Sequence, residues 1–81
     1  MEQKKLEAAI EAILFTMGKA VDVGRIARAI DQDTDATEQL LHDMMQRYQA
    51  EERGIRIIEL DHSYQLCTKR EYYEILIRIA K

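Results

Sequence analysis

The sequence predicts a mainly α-helical domain with one small β-hairpin. Helical spacing of apolar residues runs through the first fifty or so positions. Two short apolar runs, Ile55–Leu60 and Tyr64–Thr68, then flank the polar break Asp61-His62-Ser63. Helical spacing returns after Thr68. The order is helix, helix, helix, strand, strand, helix.

In the first helix, over residues 4–17, Leu6, Ala9, Ile10, Ile13, Leu14 and Met17 recur at spacings of three and four, which places them on one face. Gly18 suits its C-terminus. The opposite side carries Ala8, Ala12 and Phe15 beside Glu7 and Glu11. Phe15 either tucks under the next helix or forms part of a partner-facing patch. Asp22 is a good N-cap for a second helix of about two turns, with Val23, Ile26, Ala27 and Ile30 as its stripe. Asp31-Gln32-Asp33-Thr34 reads as a turn. Thr34 or Asp35 caps the third helix, with Glu38 at capping-box distance from Asp35. Thr37, Leu40, Leu41, Met44 and Tyr48 share the inner face of this helix, which ends near Ala50.

A three-residue loop in the hairpin sets Leu60 opposite Tyr64 and Ile58 opposite Leu66, with all four on one face. Two strands alone are marginal in water, so the ribbon must lie on the helices. In the last helix Tyr72, Ile75, Leu76 and Ile79 form a stripe that Tyr73, Ile77 and Ala80 widen until polar residues are a minority. Such a helix should be buried on most sides, yet little chain remains to cover it. A second copy, or chain beyond Lys81, is expected to supply the cover. Helices two and three with the hairpin behind them make a winged helix-turn-helix.

The chain has 81 residues, enough for one domain, and 47% of them are hydrophobic, which allows a real core. Twelve Lys and Arg against 15 Asp and Glu give a net charge of −3, which does not favour a polyanionic partner. The single cysteine excludes an internal disulfide. No run is long enough to span a bilayer and no signal-peptide core follows Met1, so a cytoplasmic protein without a membrane role is expected.

Catalytic chemistry has no visible seat. Cys67 lies inside a strand without fixed acid or base partners and reads as an inert packed thiol. His42 and His62 read as solvated surface groups, and with one cysteine they give no zinc spacing. Gly18, Gly24 and Gly54 stand too far apart for a phosphate loop. The expectation is a non-enzyme with no cofactor and no metal.

A helix-turn-helix commonly lays its second helix in the major groove of DNA. Here Asp35, Glu38, Asp43, Glu51 and Glu52 line that region, with Arg47 the only strong base. Such a surface is repelled by phosphates. The wing tip also lacks the Arg or Lys that probes a minor groove. Arg25, Arg28, Lys69 and Arg70 leave a small basic surface. A DNA-binding transcriptional regulator is therefore the alternative reading, and a fold turned to protein contact the main one.

The segment from Leu6 to Phe15 before Gly18 resembles the N-terminal winged-helix domain of the segregation and condensation protein B family. So do Arg53-Gly54-Ile55 at the wing entry, and Tyr64-Gln65-Leu66 followed by Thr68-Lys69 and Tyr72. The chain departs from that pattern at the wing tip, where the family often has glycines, and at Cys67. The resemblance implies that residues 1–81 are one winged-helix domain, the N-terminal fragment of a tandem winged-helix protein. It implies a homodimer, formed largely through this domain, that joins a kleisin-type partner, segregation and condensation protein A, to an SMC ATPase in chromosome condensation and segregation, with the kleisin contact mainly on the second domain. The expected self-association contacts are Ala8, Ala12 and Phe15 on the first helix, with Tyr73 and Ile77 on the last.

Overall fold

The computed structural model describes residues 2–80, so the predicted open end at Lys81 lies outside the described residues. Helix α1 spans Gln3–Met17 and is followed by a short strand β1, Val21–Asp22. Helices α2, Val23–Ala29, and α3, Thr34–Ala50, come next. Strands β2, Ile55–Leu60, and β3, Ser63–Thr68, form the wing. A 3-10 turn at Arg70–Tyr72 leads into α4, Tyr73–Ala80. The predicted winged helix-turn-helix is thus present.

Local chemistry explains the breaks. Gly18 ends α1 in the left-handed region at φ 66, a conformation glycine adopts without a Cβ penalty, and its N–H donates to the Leu14 carbonyl. Asp22 caps α2 by accepting from the Gly24 N–H at 2.9 Å. The cap of α3 is Asp33, one residue before the predicted Thr34. Its carboxylate accepts from the Ala36 N–H at 2.7 Å, and the Thr37 hydroxyl donates to its carbonyl. Asp31 absorbs the turn at φ 62, so Asp33 arrives extended and ready to cap.

The hairpin also differs from expectation. Its loop is the two residues Asp61-His62, with Leu60 opposite Ser63, Glu59 opposite Tyr64 and Ile57 opposite Leu66. Asp61 takes φ 59, the left-handed first position that tight two-residue hairpin loops use. This one-residue change turns the face of β2 over. Ile55, Ile57 and Glu59 share the inner face with Tyr64 and Leu66, while Ile58 and Leu60 point away. Leu60 is left exposed. β1 was not legible beforehand: it pairs with β3 through Val21 and Tyr64, giving the order β1-β3-β2.

The core sits where α1, α2, α3 and the sheet meet. Ile10, Leu14, Ile26, Leu41, Met44 and Tyr64 are fully or almost fully buried. Each such side chain stabilises the fold by about 1.5–3 kcal/mol relative to exposure. α4 is outside this core: none of its described residues is buried. A single copy thus leaves this apolar helix uncovered, as expected from how little chain remains to cover it. The radius of gyration is 13.4 Å and the extents are 42 × 22 × 21 Å. A compact chain of this length has a radius of about 11.7 Å.

Candidate interaction surfaces

Two apolar surfaces face solvent. On α1, Ala8, Ala12 and Phe15 lie one turn apart on the side away from Ile10 and Leu14, and all three are exposed. Phe15 is 77% exposed, so it does not tuck under α2. On α4, Tyr73 and Ile77 are exposed, and so are Ile75, Leu76 and Ile79. These last three belong, with Tyr72, to the stripe that the spacing predicts. Every predicted contact residue thus lies at the surface, and the exposed patch on α4 is wider than Tyr73 and Ile77.

α3 carries a different surface. Arg47, its one strong base, is bound to the Glu7 carboxylate of α1 at 2.8 Å, with Glu7 almost buried. The pair links α3 to α1 and sets a carboxylate against the one strong base of α3. Beside it, the buried Tyr48 hydroxyl donates to Glu11 at 2.7 Å. Burial and this carboxylate push the Tyr48 phenol up to about 12. Arg53 lies over the Tyr48 ring, 4.4 Å from its centroid, and pairs with Glu51. Acids on these helices therefore do more than solvate them.

The second polar cluster joins α3 to the wing. The hydroxyl of the fully buried Tyr64 lies 3.1 Å from a Glu59 oxygen, 3.2 Å from His42 Nε2 and 3.5 Å from a Glu38 oxygen. His42 Nε2 also lies 3.2 Å from Glu59. His42 is exposed, as expected of a solvated group, and its ring also bridges α3 and β2. Burial and the neighbouring carboxylates raise the Tyr64 phenol, so it stays protonated and donates. The cluster ties the hairpin to α3. Among the described residues, no three His, Cys, Asp or Glu side chains are grouped to hold a metal ion. No helix among them is long and apolar enough to cross a membrane.

The third feature is a groove of about 650 Å³ beside β2. Met45 and Gln49 of α3 form one wall, Arg56 to Glu59 the other, and Lys69 to Glu71 close one end. Sequence periodicity carries no signal for it, since it arises from the sheet order that leaves β2 at an edge.

Comparison with known proteins matches residues 8–81 to the family described as segregation and condensation complex subunit ScpB. Segregation and condensation protein B of Lachnoclostridium phytofermentans is 61% identical over 80 residues, covering 99% of this chain and 42% of that protein. The protein of the same name from Agathobacter rectalis is 54% identical over 76 residues, covering 93% and 41%. The chain thus spans less than half the length of these curated relatives. Among solved structures, a dimer of the ScpB N-terminal domain complexed with ScpA peptide matches with a TM-score of 0.88 at 28% identity, over 94% of this chain and 95% of that one. ScpB from Mycobacterium tuberculosis matches in fold with a TM-score of 0.93 at 16% identity, over 99% of this chain and 50% of that one.

Proposed function

We propose, on the premise that the chain belongs to the family of segregation and condensation complex subunit ScpB, that it is a non-enzymatic dimerisation and scaffold domain. In this reading it is the first winged-helix domain of a tandem protein. That protein joins an ScpA-type kleisin and an SMC ATPase in the cytoplasm, associates with the nucleoid through their complex, and acts in chromosome condensation and segregation. The observation that carries the reading is α4, an apolar helix with no buried residue in its own copy. The similar solved domain is a dimer holding a ScpA peptide, which supports both halves of the reading.

The mechanism is burial of helix surface. Covering two or three of the large α4 side chains per subunit contributes about 1.5–3 kcal/mol each before the cost of association. Sedimentation and light scattering at micromolar concentration test it. A dimer is expected, with Ile77→Glu and Phe15→Glu each driving it to monomer while the melting of the monomer stays in place. A strict monomer that ignores both changes would overturn the assignment. The regulator alternative is weaker, because Arg47 is held by Glu7 and the rest of α3 is rich in acids.

A further inference from the structure

We draw no further inference here: the strongest candidate, the groove between α3 and the edge strand β2, lined by Met45, Ile57, Ile58 and Arg56, carries nothing, because nothing in the structure shows what covers it.

Discussion

Tyr64 and Tyr48 show how single side chains tie this small fold together. Each is buried, and each hydroxyl crosses to a carboxylate on another element: Tyr64 to Glu59, and Tyr48 to Glu11. An unpaired buried hydroxyl would be costly, so these bonds fix how the elements meet as well as how firmly. Burial raises both phenols above their usual value near 10. Below pH 10 both folded and unfolded chains keep these protons, and the contribution is complete. Above pH 10 the unfolded chain loses them first, so stability falls, for Tyr48 through about pH 12. Urea melts between pH 8 and 11 should show this loss, and Tyr48→Phe should flatten it. A loss of equal size in Tyr48→Phe would remove this tyrosine from the account. At neutral pH Tyr64→Phe should destabilise by about 1 kcal/mol, since it removes a hydroxyl but leaves Glu59 and His42 facing each other.

At the scale of elements, caps and turns decide where helices and strands begin. Asp33→Ala should cost about 1 kcal/mol in a chemical melt, as a lost N-cap does. Thr34→Ala and Asp35→Ala should cost clearly less, because neither side chain accepts a bond from the start of α3. The sequence read α1, α2, α3, both wing strands and α4 at nearly their true bounds, because apolar periodicity and a few caps specify them. It misplaced what depends on backbone conformations that non-glycine residues seldom adopt. The positive φ at Asp31 moved the α3 cap to Asp33. The positive φ at Asp61 shortened the wing loop and turned Ile58 and Leu60 outward. A two-residue strand such as β1 has no period to detect, and it exists because Val21 meets Tyr64 across the sheet. Of the candidate surfaces, the apolar helices could be picked out from composition. The β2 groove could not, since neighbours distant in sequence build it. The roles of Glu7 and His42 were hidden for the same reason: charge on a helix reads as solvation until the packing partner is known.

For the whole molecule, the buried core and the widest exposed apolar surface lie in different parts. Everything that closes the core comes before Lys69: α1, α2 with its C-cap Ile30, α3 and the sheet contain all of its buried residues. α4 contains none. A helix of eight residues is too short to hold its shape in water by propensity alone. Its order must therefore be reinforced by what it packs against, and in the proposed dimer that is another polypeptide. This leads to a prediction about a chain ending at Tyr72. Under conditions where the intact chain is monomeric, the shortened chain should melt within about 0.5 kcal/mol of it, since exposed residues away from caps and pairs contribute little. At concentrations where the intact chain dimerises, the two should separate, because association adds stability that grows with concentration. Parallel melts across a hundred-fold range of concentration would check both halves. A shortened chain that unfolds even when dilute would mean that α4 supports the core directly. A gap that does not depend on concentration would likewise mean that its apolar side chains serve the single copy.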